Sequence, residues 1–406
     1  RSRIFNTLIL LAVFRVGTFI RIPGIDKVLL DEINKGNPAK GLMGLIDTFA
    51  GGAFERASVF ALGIMPYISA SIVIQLLTVA VPSFQKMSKE GEDGRQRMNQ
   101  ITRWLTIAIT AVQAISFIIS FQSDPNKSTT ILMSNSFMFM VTSVVVLVAG
   151  TMFTMWIGER ITDRGLGNGI SLIIMVGIIS KLPHSLLAEF AHKMGNNGGP
   201  IIFILEIVFW LLVILSVILL VQGTRRIPVQ YAKRIVGNRQ FGGVRQYLPL
   251  KVNAAGVMPI IFAQAIMMVP ITIVGVANSE NLRGVAAALS NITGLWYNLT
   301  QFLLVVAFTY FYTAITINPT QMAEDMKKNG GFIPGVKPGK KTVEFLDTVM
   351  SRITLPGSIF LGLVTIMPAF AMMIGISQSF ALFYGGTSLL ILVGVVLDTL
   401  QQIESH

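Results

Sequence analysis

The chain repeats the sequence GIMPYISA of residues 63–70, which returns as GVMPIIFA at residues 256–263. A second sequence, GISLIIMVG at residues 169–177, returns as GTSLLILVG at residues 386–394. Every copy lies inside a strongly apolar run. Two matches in the same order are typical of a membrane protein built from two related halves. The alternative is coincidence among residues that are common in apolar helices.

The composition is that of a membrane protein. Hydrophobic residues make up 52% of the 406 residues and charged residues only 13%, whereas a soluble chain carries about 25% charged residues. The absence of cysteine excludes disulfides and thiolate metal sites. The three histidines lie outside the apolar runs, which argues against a histidine-ligated metal. No cofactor is expected.

The apolar runs are long enough to cross a membrane. A spanning helix needs about 20 mostly apolar residues for a hydrocarbon core of roughly 30 Å, and lipid cannot satisfy exposed backbone amides in any other open conformation. The first run is interpreted as a spanning helix rather than a signal peptide. Ten segments qualify: residues 4–20, 58–80, 104–121, 137–157, 169–187, 201–222, 252–276, 294–317, 353–374 and 385–403.

Lysine and arginine predict the orientation of these segments. The N-terminus and the even-numbered connections hold 22 of the 32 basic residues, and the odd-numbered connections hold nine. The positive-inside rule then puts both termini in the cytosol. Five spans per half is an odd number, so the second half is inverted relative to the first. The predicted fold is all-α, with ten transmembrane helices in two inverted pseudo-symmetric halves, residues 1–200 and 201–406.

Few ionisable residues lie within the apolar segments. Arg15, Glu206 and Asp398 are each close to one end of a segment and are interpreted as interface anchors or local ion pairs. No series of carboxylates crosses the bilayer to couple transport to protons or sodium. The sequence also lacks a nucleotide-binding motif and a nucleophile–base pattern. We therefore expect no enzyme, and the energy for any work comes from a partner.

Two cytosolic connections, residues 223–251 and 318–352, are longer than a link between helices requires. The first interleaves seven basic residues with aromatic ones, and the second places five lysines around a rigid Pro-Gly-rich turn. Attraction to anionic lipid is worth about 1 kcal/mol per basic residue and accounts for part of this charge. The larger part favours docking of an acidic partner, either RNA or an acidic protein face.

Residues 41–57 follow the first segment on the outer side and are moderately apolar. They contain Asp47, Glu55 and Arg56, so they are too polar and too short to span a bilayer. A half-helix that dips back into the protein fits them better, because irregular backbone at that depth needs protein or water around it. Gly51-Gly52 would allow a break before the second segment. An ordinary outer loop is the alternative.

Six further stretches carry a resemblance that extends from the first segment to the last. They are AGGAFERAS (50–58), ALGIMPYISAS (61–71), KEGEDGR (89–95), RGLGNGIS (164–171), LPLKVN (248–253) and YGGTSLLI (384–391). In these stretches the chain resembles the bacterial SecY family, the central subunit of the protein-conducting channel. The resemblance implies an hourglass pore whose waist is a ring of apolar side chains.

On matching motif positions, the implied pore ring is Ile64, Ile68, Ile170, Ile174, Ile261 and Ile391. The internal repeat independently pairs Ile68 with Ile261 and Ile174 with Ile391, and all four are expected near the middle of their segments. Branched apolar side chains can close a constriction by dewetting and still yield around a passing polypeptide.

The resemblance also implies a plug, a lateral gate and a docking surface. Residues 47–57 would seat under the ring from outside, with plug residues Asp47, Phe49, Gly51, Gly52, Phe54 and Arg56. Spans 2 and 7 would form the gate, with a polar contact between Gln75 and Asn253. The docking residues would be Arg225, Arg226, Lys233, Arg234, Arg239, Arg245, Lys337, Lys340 and Lys341. Lys337 replaces the arginine usual in the family, and lysine cannot make a bidentate fork.

The implied function is movement of unfolded secretory polypeptides across the bacterial inner membrane and lateral release of hydrophobic segments into lipid. The implied partners are the subunits SecE and SecG, the SecA ATPase, a translating ribosome, and the translocating polypeptide with its signal sequence. A secondary transporter for a small solute would share inverted halves, but buried polar groups at mid-depth are scarce. A membrane scaffold that transports nothing is a second alternative.

Overall fold

The computed structural model describes most of the chain, and its helices are long. The described residues are 2–36, 42–123, 128–132, 136–195, 199–231, 234–236, 239–241, 245–276, 284, 288–289 and 291–405. The helices of the first half are α1 (Ser2–Gly17), α2 (Lys27–Gly36), α3 (Leu42–Phe49), α4 (Met65–Ala80), α5 (Pro82–Lys89), α6 (Glu92–Ser123), α7 (Ser136–Arg164) and α8 (Gly169–Gly195). Those of the second half are α9 (Gly199–Gln222), α10 (Met258–Val276), α11 (Leu295–Thr316), α12 (Pro319–Lys328), α13 (Lys340–Met373), α14 (Gln378–Ala381) and α15 (Gly386–Ser405).

Each of the ten predicted segments contains one helix. Within the described residues, seven helices are long and apolar enough to cross a membrane: α6, α7, α8, α9, α11, α13 and α15. The pair α4 and α5 counts as an eighth if it is one span, although Pro82 follows a bend of 104°. The other two segments give α1, of 16 residues, and α10, of 19 residues. The count of ten spans therefore stays a prediction.

The first repeated sequence marks the start of a helix in both halves. Gly63 and Gly256 have positive φ angles of 55° and 64°, which a residue with a side chain rarely adopts. Two residues later α4 and α10 begin, with Pro66 and Pro259 in the first turn. Proline is favoured there because the missing N–H has no partner within the helix anyway.

These two helices begin later than predicted. The segments were expected to start at residues 58 and 252, but residues 58–64 and 252–257 form turns. The physical reason is the positive-φ glycine, which ends any continuous helix before the proline turn. The second repeated sequence also begins a helix in each half, at Gly169 and at Gly386.

The two basic connections add a small sheet that was not predicted from the sequence. The strands of this region are β1 (Thr224–Tyr231), β2 (Arg234–Val236), β3 (Arg239–Phe241), β4 (Arg245–Lys251) and β5 (Gly331–Phe332), and the sheet itself consists of β4, β1 and β5. Strand β1 is central and antiparallel to both neighbours, with Thr224 opposite Lys251 and Gln230 opposite Phe332. β2 and β3 form a separate hairpin. The connections 223–251 and 318–352 thus form one folded unit.

The largest apolar cluster joins the two halves. It collects side chains from α1, α4, α8, α10, α11 and α15. Helix α8 packs against α7, α9 and α15, and α10 packs against α4, α6 and α11. Separate clusters lie within the first half, within the second half and under the sheet. The contact between the halves is therefore itself a core.

Candidate functional site

Five of the six isoleucines predicted to form a ring are buried in the cluster that joins the halves. They are Ile64, Ile68, Ile174, Ile261 and Ile391. The sixth, Ile170, is half-buried and packs against the same cluster. The structure thus brings together residues that are up to 327 positions apart along the chain (391 − 64).

These isoleucines lie near the starts of their helices. Ile68 and Ile261 lie in the first turn of α4 and α10, and Ile174 and Ile391 lie in the second turn of α8 and α15. Ile68 and Ile261 are close to the middle of the predicted segments 58–80 and 252–276, because α4 and α10 begin later than these segments. Helices α8 and α15 begin within one residue of their predicted starts, so Ile174 and Ile391 lie nearer the start of both segment and helix. Residues paired by the repeat nevertheless occupy equivalent helix positions.

Four of the isoleucines enclose a cavity of about 10 Å³. Its lining is Phe49, Met65, Ile68, Ile174, Ile261, Gln264, Thr387 and Ile391. Such a volume holds about one water molecule. The passage between the four helices is therefore closed in this structure, by aliphatic side chains and by Phe49.

Phe49 belongs to the segment predicted to be a plug. This segment consists of the end of α3 and the turns of residues 50–57. Asp47 and Phe49 are buried, and Phe54 and Arg56 are half-buried. The backbone reverses at Gly51 and Gly52, whose φ angles are 65° and 87°. The half-helix predicted for residues 41–57 is found in α3, followed by the predicted break at the two glycines.

Gly177 allows this segment to lie directly on α8. A Cβ atom at Gly177 would be 2.4 Å from the carbonyl oxygen of Phe49 and 3.2 Å from the backbone nitrogen of Gly51. Both are backbone atoms, so no side chain can move aside to make room. Gly177 is the last residue of the second repeated sequence, and a Cβ atom at its counterpart Gly394 would be 2.5 Å from Val257 Cγ2.

Two charged side chains, Lys181 and Arg15, hold the segment from neighbouring helices. Lys181 Nζ on α8 donates a short hydrogen bond to Asp47 Oδ2 and lies 3.4 Å from Glu55 Oε2. Arg15 Nη1 on α1 donates to the carbonyl oxygen of Gly51 at 2.8 Å. Asp47 Oδ1 also accepts from the backbone N–H of Glu55 at 2.8 Å, which closes the segment on itself.

Arg56 lies at the outer edge of the same segment. Its guanidinium carbon lies over the Phe19 ring, 4.4 Å from the centroid, in a cation–π contact. Burial is the main cause that lowers the pKa of Arg56, and Asp31 and Glu55 oppose this effect. Arg56 is nevertheless charged at any physiological pH.

The helices of the predicted gate, α4 and α10, pack against each other, but the predicted polar contact across them is not formed. Among the described residues, Asn253 Oδ1 has no hydrogen-bond partner, although Asn253 is buried and Gln75 is half-buried. The reason is the later start of α10. Asn253 lies in the preceding turns and not on the helix that packs against α4.

The predicted docking residues lie on the sheet and on the connection beside it. Arg225, Arg226, Lys337, Lys340 and Lys341 are exposed. Lys233 lies outside the described residues, as do the side chains of Arg234, Arg239 and Arg245, whose backbones belong to β2, β3 and β4. Beneath them, Ile227 and Val229 of β1 are buried in a core shared with α12 and α13.

In the part of the chain that the structure describes, no group of three or more histidine, aspartate or glutamate side chains is arranged to hold a metal ion. The contacts that the site makes are apolar packing, backbone contact and ion pairing.

Lys181 is the functional candidate that the sequence did not reveal. It was counted among the basic residues of the connection after the fifth segment, although the bounds of that segment, 169–187, include it. In the structure Lys181 lies on α8, which continues to Gly195. Its partners Asp47 and Glu55 are 134 and 126 residues away. The signal in the sequence was a lone lysine among apolar residues, together with the acidic Asp47 and Glu55 in the moderately apolar stretch 41–57.

Comparisons with known proteins agree with this geometry. The profile of the SecY family matches residues 58–400. "Protein translocase subunit SecY" of Streptomyces galbus is 43% identical, over all of this chain and 94% of that protein. "Protein translocase subunit SecY" of Mycobacterium tuberculosis strain H37Rv is 42% identical with the same coverage.

Solved structures with the same fold are less similar in sequence. "The structure of a protein conducting channel" superposes with a TM-score of 0.72 at 18% identity, covering all of this chain and 92% of the other. "Sec61 in the Canine ribosome-channel complex from the endoplasmic reticulum" gives a TM-score of 0.67 at 18% identity with the same coverage. By family profile and by full-length similarity, this chain belongs to the SecY family.

Proposed function

We propose that this chain is the protein-conducting channel subunit that moves unfolded secretory polypeptides across a membrane and releases hydrophobic segments into lipid. The observation that carries this proposal is the closed cavity of about 10 Å³ between four isoleucines from four helices of both halves. A passage at the contact between two halves can open by their separation without unfolding either half. Membership of a translocase family supports the same conclusion.

The isoleucine ring is the seal of this channel. Water gains no hydrogen bond from aliphatic side chains, so a narrow apolar constriction excludes water and ions. The same side chains bind no particular sequence tightly, because dispersion contacts are individually weak. A polypeptide of any composition can therefore pass once the helices separate. Ile64 and Ile170 extend the ring beyond the four residues that line the cavity.

Residues 47–57 are the plug beneath this ring. The contact of Phe49 with the cavity and the close approach at Gly177 support this role. The plug is small and made of turns, and it is held largely by backbone contacts and a few charged groups. It can therefore leave its seat as a unit.

The lateral gate lies between α4 and α10. The two helices pack against each other directly, and each begins at the Met-Pro of a repeated Gly-Xaa-Met-Pro sequence. Separation of these helices would expose the ring to lipid.

The sheet and the neighbouring connection form the cytosolic docking surface for the SecA ATPase or a translating ribosome. The exposed positive charge of Arg225, Arg226 and Lys337 supports this assignment, because such a surface attracts acidic proteins and RNA. A likeness to a channel seen on a ribosome adds support. SecE and SecG are the proposed partner subunits within the membrane.

We also propose ten spans in two inverted halves, both termini in the cytosol, and residence in the bacterial inner membrane. The distribution of lysine and arginine supports the orientation. The inverted arrangement draws support from the repeat, whose paired glycines, prolines and isoleucines occupy equivalent positions in corresponding helices.

Crosslinking of a translocating chain tests this function. Single cysteines are placed at the six isoleucines, and at the lipid-exposed Ile204 and Leu215 of α9 as controls. A secretory polypeptide arrested in transit should crosslink to the ring positions and not to the controls. Equal crosslinking at both sets, or none at the ring, would rule out a central passage. A pull-down experiment separates this function from the alternative of a small-solute transporter. The channel should bring down ribosomes or SecA, and a transporter should bring down neither.

A further inference from the structure

One lysine on α8 is surrounded by acidic groups of the plug. The Lys181 side chain is only 26% exposed, and the Asp47 side chain is 1% exposed. Glu55, the second acidic neighbour, is 22% exposed. The lysine stem passes over the backbone reversal of the plug, so that a Cβ atom at Gly52 would be 3.2 Å from Lys181 Cε. The lysine is thus fitted to the plug in both shape and charge.

A second cation, Arg15, contacts the same turn of the plug. Arg15 on α1 donates to the Gly51 carbonyl, and a Cβ atom at Gly51 would be 3.0 Å from the same nitrogen. Arg15 also lies over the Phe19 ring at 5.1 Å, in a cation–π contact. The plug turn is therefore contacted by a cation from the first helix and by a cation from the last helix of its own half.

These contacts differ in kind from the apolar contacts of the ring. Phe49 can leave the cavity at a cost that follows its buried apolar area. Asp47, in contrast, is buried beside a single cation, and a buried charge deprived of its partner is strongly unfavourable. Breaking the Asp47–Lys181 bond is a separate cost of displacing the plug, in addition to the exposure of apolar area. The ion pair therefore creates a threshold rather than a uniform resistance.

We propose that Lys181 and Arg15 form an ionic latch on the plug, and that Lys181, through Asp47 and Glu55, sets how strong a signal must be to open the channel. This inference rests on the proposed role of residues 47–57 as a plug. Lys181 is a specificity-determining residue in this scheme. It touches no translocating chain in the closed state and acts through the plug. Weakening the latch lowers the threshold, so that defective signal sequences are accepted.

The test compares Lys181→Met with Lys181→Arg in the complete channel complex reconstituted in lipid bilayers. Methionine keeps the length of the side chain and removes the charge, whereas arginine keeps the charge. For Lys181→Met we expect a rise in resting ion conductance of about tenfold, the effect of about 1.4 kcal/mol on a two-state equilibrium. We expect Lys181→Arg to stay close to the original chain.

Two further variants separate the latch from a general loss of structure. Asp47→Asn keeps the acceptor for the Glu55 backbone N–H but removes the negative charge. If the pair acts as a unit, the double variant Asp47→Asn with Lys181→Met conducts no more than the worse single variant. The matched control is Arg103→Met, which breaks the 2.7 Å ion pair with Glu159 between α6 and α7, away from the plug.

Deletion of residues 47–57 distinguishes failure of the latch from failure of the plug. If the deletion raises conductance and Lys181→Met does not, the latch is wrong and the plug stands. If neither change raises conductance, the plug role itself fails, and the latch with it. Export of a substrate with a weakened signal sequence is the second measurement. Acceptance by Lys181→Met but not by Lys181→Arg or Arg103→Met supports the latch, and equal acceptance by all three overturns it.

Discussion

Lys193 Nζ lies 2.8 Å from Glu206 Oε1, and both side chains are buried. Lys193 belongs to α8 and Glu206 to α9, so this ion pair joins the last helix of the first half to the first helix of the second. Glu189 adds a second carboxylate at 3.7 Å, and the carbonyl oxygen of Gly375 accepts from the same lysine at 3.0 Å. Of the two interpretations of Glu206, interface anchor or local ion pair, the ion pair is confirmed.

Replacing Lys193 should destabilise the protein strongly. Lys193→Met leaves two buried carboxylates without their cation, and breaking a buried pair in this way costs about 3–5 kcal/mol. We expect this loss in the free energy of unfolding, measured in detergent. The control is Lys341→Met, whose partner Glu344 at 3.2 Å is on the surface. An exposed pair contributes less than about 1 kcal/mol, and equal losses in both variants would contradict the prediction.

The buried phenol of Tyr384 should make the free energy of unfolding depend on pH. Its hydroxyl donates to the Glu206 carbonyl oxygen at 2.6 Å, and burial, followed by the charges of Glu206 and Glu189, raises its pKa. Because the pKa of Tyr384 is higher in the folded state than in the unfolded state, the protonated phenol stabilises the fold at any pH below the ordinary tyrosine pKa of about 10. This stabilisation is lost as the pH rises through the folded-state pKa. We expect Tyr384→Phe to cost about 1 kcal/mol at neutral pH.

The difference in unfolding free energy between the original chain and Tyr384→Phe should change only at alkaline pH. Between about pH 6 and about pH 9 the gap in unfolding free energy between the original chain and Tyr384→Phe stays constant, because both states keep the phenol protonated. Above about pH 10 the gap narrows. Tyr247→Phe, on the exposed side of β4, serves as the control and should show no gap. A gap that widens in alkali would contradict the assigned sign.

Gly177→Ala should displace the plug without unfolding α8. Alanine is favoured over glycine inside a helix by about 1 kcal/mol, but its Cβ atom would meet the Phe49 carbonyl oxygen at 2.4 Å. The substitution stabilises the helix and weakens the seating of the plug on it. We therefore expect a higher resting conductance with little change in thermal stability. Gly195→Ala, at the end of the same helix and without a described neighbour within 4 Å, is the control. A silent Gly177→Ala would refute the close contact.

A polar residue in the ring should wet the closed constriction. We expect Ile391→Asn or Ile68→Asn to raise ion leakage and to loosen discrimination between signal sequences, because an amide holds water where isoleucine excludes it. Ile391→Leu keeps the apolar volume and should behave like the original chain. Unchanged conductance and export in the asparagine variants would count against the ring.

Charge reversal on the docking surface should weaken partner binding alone. Changing Arg225, Arg226 and Lys337 to glutamate places negative charge where an acidic partner must approach. We expect binding of SecA and ribosomes to fall by at least about tenfold, with normal membrane insertion, measured by co-sedimentation. Lys337→Arg should retain binding, since the charge is kept. Normal SecA-stimulated transport in the triple variant would contradict the assignment.

The sequence predicted the apolar part of this protein well, for a physical reason. Long apolar runs have one stable conformation in lipid, so composition alone predicted the helices. The repeat paired Ile68 with Ile261 and Ile174 with Ile391, and the structure brings these four residues to one cavity. Their roles in a seal stay a prediction that the cysteine experiment tests.

The polar contacts were harder to predict from the sequence, because they join residues that are far apart along the chain. Lys181 lies inside the predicted segment 169–187, but nothing in the local sequence pairs it with Asp47, which is 134 residues away. The strands of the basic connections did leave a local signal, since buried Ile227 and Val229 alternate with exposed or half-buried neighbours. The contact between Gln75 and Asn253 failed because a helix start was placed too early.

The pairing of β1 with β5 has a mechanical consequence. Because Gln230 and Tyr231 pair with Phe332 and Gly331, a force applied to either basic connection is shared by both. From this platform α13 extends for 34 residues, about 51 Å, well beyond a hydrocarbon core of about 30 Å. On the other side β4 leads within a few residues into α10. Under the proposed function, a force applied by a docked partner to this sheet reaches α10, one of the two proposed gate helices, directly through β4.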